Sequence, residues 1–306
     1  MARRTLELAL DYRCNLRCLG CRACQGDATG ARLAPERAAA LLREGFQRGA
    51  RAAWFGGGEP TLRDDLLALV KRARQLGYAQ VVVQTNGVRL AYPAYARALV
   101  AAGVTEVRVN AKSARPGAHD ALTACPGSHA LLVQALENLA GLGMAVAGDV
   151  LLTRETAPHL DETLAFFADR GVTRFALWLL FAGEGEDGQD ERVAREVPRI
   201  ADIVAALASA SILADARGLT LVSHHTPPCT LPAALRRRWG PAVDLAMTVV
   251  DPGGHAFALE RSPYEGAGHL QACEGCAAAS RCGGPRADYL RLHGASEFRA
   301  LQCLDG

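Results

Sequence analysis

Apolar and polar positions follow a repeating rhythm along the first 180 or so residues. TLELAL at 5–10 is a short apolar strand, and PERAAALLREGFQRG at 35–49 carries helical spacing. Pro35 opens that helix where its missing N–H costs nothing, and Gly49 stops it. The pattern then predicts a strand over 51–55, a helix over 62–76 ended by Gly77, and a strand over 79–84. Val81 to Val83 form a continuous apolar run, which suits a parallel strand covered on both faces. Helices are predicted over 93–103, 128–142 and 157–170, with strands over 104–113, 144–152 and 172–181. Such alternation implies parallel strands joined by right-handed crossovers, in either an open doubly wound sheet or a barrel.

The rhythm breaks after residue 181. AGEGEDGQDERVARE at 182–196 is polar and glycine-rich, a solvated loop by composition, and it follows a strand end where a lid over a substrate would sit. A long helix over 197–217 leads to LTLVSHH at 219–225. Two β-like runs within 244–260 flank Asp251-Pro252-Gly253-Gly254, residues that supply turn dihedrals, and predict a hairpin. Cys273-x2-Cys276-x5-Cys282 and a helical stretch within 283–298 follow, as in a small metal-bound module with little core of its own. The division this implies is one large α/β domain over 1–218 and a cysteine-rich module over 219–306.

Composition narrows the possibilities. Of the 306 residues 50% are apolar and 22% charged, as in an ordinary globular protein. The apolar runs fall short of a membrane span, and the first residues lack the long apolar core of a signal peptide. A cytoplasmic protein with no membrane partner is expected. The net charge of +2 is no footprint of nucleic-acid binding, and Lys71 and Lys112 are the only lysines among many arginines. Seven of the ten cysteines cluster near the two ends, at 14–24 and at 273–282, which in a cytoplasmic chain indicates metal or iron–sulfur sites rather than disulfides.

Cys14, Cys18 and Cys21 form a C-x3-C-x2-C loop directly after the first strand. Three thiolates hold a soft metal centre and leave one coordination position open, as a reactive centre requires. A structural zinc needs a fourth protein ligand, for which Cys24 is close at hand. The second strand runs into Gly56-Gly57-Gly58-Glu59-Pro60, and the third ends in Gln84-Thr85-Asn86-Gly87.

The cysteine loop followed by GGGEP resembles the radical S-adenosylmethionine (radical SAM) superfamily, over residues 5 to about 180. The resemblance selects the barrel: a partial (β/α)6 TIM barrel, open on one side. It implies a [4Fe–4S] cluster on Cys14, Cys18 and Cys21, with SAM at the fourth iron. It implies SAM contacts from Gly56, Gly57, Gly58, Glu59 and Pro60, and from the strand-end residues Gln84, Asn86, Asn110 and Lys112. Glu59 has a second reading, as a carboxylate that orients the turn. One position departs from the family: an aromatic residue usually precedes the third cysteine, and here Gly20 stands there. Another side chain must cover that surface, or the site is wetter than usual.

The C-terminal cysteines resemble the auxiliary-cluster domain of the same superfamily, in its full form (SPASM) or shortened form (twitch). The full form places a further cysteine where this chain has Arg286, so one auxiliary cluster is expected, [4Fe–4S] in type. Its ligands are Cys273, Cys276, Cys282 and Cys229, the last preferred over Cys303, which lies near the frayed terminus. Spacing alone leaves structural zinc open here. Cys24 and Cys125 read as bystanders. His224 and His225 are adjacent on a strand, so one at most is expected to reach the cavity.

The family implies cleavage of SAM to a 5′-deoxyadenosyl radical that abstracts a substrate hydrogen atom. The favoured substrate is a ribosomally made peptide. A flavodoxin or ferredoxin would be the electron donor, with a separate leader-peptide-binding protein, since the first strand already begins at Thr5. The alternatives are a dehydrogenase or epimerase acting on a small sugar, aminocyclitol or nucleotide precursor, and a zinc-stabilised binding protein without chemistry. No short motif names a catalytic acid or base.

Overall fold

The computed structural model describes residues 4–21, 30–183, 191–262, 264–266 and 268–304. Six strands alternate with helices in the expected order: β1 (Thr5–Ala9), β2 (Ala52–Gly56), β3 (Gln80–Thr85), β4 (Glu106–Asn110), β5 (Val146–Leu152) and β6 (Val172–Leu179). Each pairs in parallel with the next, and β7 (Thr220–Ser223) adds to β6. On the other side β8 (Met247–Val250) pairs in parallel with β1, and β9 (Ala256–Ala258) closes the predicted hairpin antiparallel to β8. The sheet order is β7-β6-β5-β4-β3-β2-β1-β8-β9, so strands from both sides of residue 218 share one sheet.

The crossover helices are α1 (Pro35–Gln47), α2 (Leu66–Leu76), α3 (Pro93–Ala102), α4 (Pro116–Thr123), α5 (Ser128–Gly141) and α6 (Leu160–Ala168). Val81, Val82 and Val83 are all buried, as a doubly covered parallel strand requires. Helix α4 is absent from the sequence reading. Its start, Pro116-Gly117, reads as a turn, yet Pro at the first helical position is compatible with a helix. Beyond the barrel, α7 (Glu191–Glu196) occupies part of the stretch expected to be loop, and residues 184–190, the rest of the expected lid, lie outside the described residues. The predicted long helix is α8 (Ile200–Ala216); α9 (Ala233–Arg236) and α10 (Ala287–His293) follow. Among the described residues no helix is long and apolar enough to cross a membrane.

Candidate functional site

The cysteine loop lies directly on the glycine turn, backbone against backbone. Gly58 N–H donates to Asp11 O (2.8 Å) and Glu59 N–H to Arg13 O (2.7 Å). A Cβ on Gly57 would stand 2.5 Å from Asp11 O, and one on Gly58 would stand 2.2 Å from Arg13 O. Side chains are excluded here because the two loops touch. Gly58→Ala therefore forces them apart. We expect it to destabilise the fold by about 1–3 kcal/mol and to lower iron retention at the N-terminal site, measured by denaturant unfolding and iron analysis.

The fully buried Arg63 holds the loop from beneath, donating to Leu10 O (3.2 Å) and Leu33 O (3.0 Å) and pairing with Asp65. From the side, Arg17 N–H and Leu19 N–H donate to Thr123 O and Leu122 O at the end of α4. The helix that the sequence hides thus buttresses the cysteine loop.

Glu59 is buried, with its carboxylate consumed within the scaffold. Its Oε1 accepts from Thr61 N (3.0 Å), Thr61 Oγ1 (2.5 Å) and Thr85 Oγ1 (2.7 Å), and its Oε2 accepts from Asn86 N (2.7 Å). Burial pushes its pKa up, and these hydrogen bonds oppose the rise. It ties the glycine turn to the end of β3, the orienting role foreseen as its second reading. Asn86 in turn donates through Nδ2 to Asn15 Oδ1 (2.7 Å) in the cysteine loop.

Cys14, Cys18 and Cys21 line one cavity of about 330 Å3, together with Gly57, Gly58, Gln84, Asn86, Asn110 and Lys112. Gly56, Glu59 and Pro60 are not on its wall. Burial pushes the Cys14 thiol up to about 11, and it raises Cys18 too, against the opposing charge of Lys112. Leu180 and Phe181 from the end of β6 cover the side near Gly20, where a Cβ would meet Leu180 Cδ1 at 2.7 Å. These are the side chains that stand at the surface left open by Gly20.

A larger chamber of about 620 Å3 shares Gln84, Asn110, Lys112, Leu151 and Trp178 with the cysteine cavity. Its wall is a layer of inward side chains taken one strand at a time: Glu7, Trp54, Gln84, Arg108, Asp149 and Trp178. All but Glu7 hydrogen-bond around the layer. Trp54 Nε1 donates to Gln84 Oε1 (3.3 Å), and Gln84 Nε2 donates to Asp149 Oδ2 (3.0 Å). Asp149 also accepts from Trp178 Nε1 (3.1 Å) and Arg108 Nη2 (2.5 Å). Of this layer, the sequence reading singles out Gln84. The available signal was one charged residue inside each of several apolar strands.

The Radical SAM superfamily model matches residues 11–167. The chain belongs to the radical SAM superfamily. It is 33% identical over 187 residues to the mycofactocin maturase MftC of Mycolicibacterium smegmatis, covering 61% of this chain and 47% of that protein. A probable GTP 3′,8-cyclase of Sulfurisphaera tokodaii is 28% identical over 56% of this chain and 54% of its own length. The chain spans about half the length of these curated relatives. In fold it is similar to Streptococcus suis SuiB bound to S-adenosylmethionine, with a TM-score of 0.70 at 12% identity over 98% of this chain and 76% of that one.

This radical SAM chain carries a twitch-like cysteine module at its C-terminal end. Cys229, Cys273, Cys276 and Cys282 line one small cavity; Cys303 is exposed and stands outside it. Backbone N–H groups point at two of the sulfurs, Gly284 N to Cys282 Sγ (3.4 Å) and Leu301 N to Cys276 Sγ (3.3 Å). Burial pushes the Cys282 thiol up to about 11 and raises Cys229. Among the described residues no three Cys, His, Asp or Glu side chains converge on one point as ligands of a single ion do. Three thiols on one cavity wall are the donor set that a SAM-binding [4Fe–4S] cluster takes in the radical SAM family. Cys24 lies outside the described residues.

Arg286, standing where the full module would place a cysteine, is buried and joins the module to the barrel. It donates to Leu179 O (2.8 Å) and Leu180 O (2.6 Å), pairs with Asp288, and contacts His225 Nδ1 (3.0 Å). Both histidines reach cavities, contrary to the alternation argument. His224 is on the chamber wall, stacked on Trp178 with centroids 4.2 Å apart; His225 is on the cysteine cavity wall. The strand ends at Ser223, and His225 adopts φ 62°, so strand alternation does not apply to the pair.

Proposed function

We propose that this chain is a radical SAM enzyme that oxidatively modifies a ribosomally made peptide. The observation that carries the reading is the pair of cavities with a shared wall, one bearing three cysteines and the other a polar layer of inward side chains. Cys14, Cys18 and Cys21 would hold a [4Fe–4S] cluster. When bound there, S-adenosylmethionine supplies a 5′-deoxyadenosyl radical that takes a hydrogen atom from the substrate. Gly57 and Gly58, packed on the cysteine loop at the cavity wall, would lie along the amino-acid end of that cofactor. Asn86, Asn110 and the buried Lys112 supply polar contacts, Lys112 as the cation nearest a carboxylate. The barrel layer excludes bulk water and fixes which C–H meets the radical.

Cys229, Cys273, Cys276 and Cys282 would hold a second [4Fe–4S] cluster, with Cys229 rather than Cys303 as fourth ligand. A flavodoxin or ferredoxin would supply electrons. The peptide reading is supported by the MftC likeness. The likeness to probable GTP 3′,8-cyclases supports the small-molecule alternative.

One experiment separates them: anaerobic incubation of the reconstituted protein with SAM and dithionite, against candidate precursor peptides and against GTP. A peptide that loses two mass units as 5′-deoxyadenosine forms is the expected result. A modified nucleotide with unchanged peptides would overturn the peptide reading. Metal analysis of the same sample should find about eight irons and about eight sulfides per chain; two tightly held zincs instead would overturn the enzymatic reading altogether.

A further inference from the structure

Glu7 differs from the other carboxylates on the chamber wall, Asp149 and Asp244. It sits at the middle of β1, opposite Trp54 in the register of β1 and β2, with Oε1 next to Gly56. Among the described residues nothing forms a hydrogen bond or ion pair with its carboxylate, whereas its neighbours in the layer are all engaged. Arg108 is neutralised by Asp149 and Glu106, and Arg174 by Glu106. Asp244 at the rim pairs with Arg281, and His224 contacts Gly240 O through Nδ1. Lys112, the remaining cation of the chamber, stands on the wall shared with the cysteine cavity.

We infer that Glu7 is the substrate's anchoring point, receiving a protonated amine or guanidinium that the substrate inserts into the chamber. The inference rests on the reading of the chamber as the substrate site. Two observations support a cation rather than an anion as the guest. The wall's arginines already have carboxylate partners, so an acidic guest would compete with ion pairs in place. Burial, and to a smaller extent the charge of Asp149, push the Glu7 carboxyl up to about 7. A group in that condition regains its charged form when a cation arrives, and the contact becomes a charge-assisted hydrogen bond.

The test is a binding measurement that needs no turnover. Reconstituted protein with SAM present, without reductant, is titrated calorimetrically with three blocked tripeptides: acetyl-Gly-Lys-Gly-amide, its norleucine counterpart and its glutamate counterpart. The lysine peptide should bind about tenfold more tightly than the norleucine one, and the glutamate peptide more weakly than either. Glu7→Gln should abolish the preference for lysine, and Glu7→Asp should retain part of it. Equal binding of lysine and norleucine peptides, a preference that survives Glu7→Gln, or binding of none of the three would each overturn the inference. Because no SAM is cleaved, a failure here is distinct from a failure of the radical chemistry.

Discussion

Cys18→Ala is expected to reduce 5′-deoxyadenosine formation to the level of a protein-free control. The same variant should keep about four of about eight irons, since the C-terminal site is untouched. Two features make the effect large. Cys18 is one of three thiols on the cavity wall, and its loop is fixed at both flanks, on the glycine turn and on α4. Leu19 N–H bonds to Leu122 O at 2.8 Å and Cys21 N–H to Cys18 O at 3.1 Å, so the loop cannot rearrange to offer another ligand without breaking these contacts. Anaerobic mass spectrometry of the nucleoside, with iron analysis of the same preparation, checks both parts. A variant that loses iron from both sites would mean that the two modules fold as one unit.

The second large effect is on stability. Arg286→Met should destabilise the chain by about 3–5 kcal/mol, read as a shift in denaturant midpoint. Both Arg286 and Asp288 are almost fully buried, and the guanidinium also satisfies two carbonyls at the end of β6. Removing it leaves the Asp288 charge uncompensated and Leu179 O and Leu180 O short of a donor. Asp288 also accepts from Ala182 N (2.9 Å), just past β6, which places this network across the junction of barrel and module. Arg286→Met combined with Asp288→Asn should recover part of the loss, because no buried charge then remains unpaired. A loss equal in the single and double variants would place the cost in the carbonyls alone.

The barrel was legible because each strand and helix announces its own period, and Val81–Val83 even showed that both faces of β3 are covered. The two cysteine groups were legible from spacing, and the structure brings Cys229, not Cys303, to the second of them. The chamber was not legible. Its wall takes side chains from strand after strand, so its residues are scattered from Glu7 to Leu259 and form no local motif. Arg286 read as a lost ligand; its use as a clamp depends on carbonyls 106 and 107 positions earlier in the chain. The two histidines were misplaced for a local reason, a positive φ at His225 that sequence alternation does not register. Glu59 illustrates a different limit. Its place in the motif identifies the turn, and its four hydrogen bonds show a carboxylate spent on building that turn.

The most direct measurement is reductive cleavage of SAM by the reconstituted wild-type protein under strict anaerobiosis, with 5′-deoxyadenosine quantified by mass spectrometry. The account predicts nucleoside that depends on dithionite and appears together with methionine in equal amounts. Protein that carries both clusters, is presented with a lysine-bearing peptide, and still yields no 5′-deoxyadenosine would contradict it.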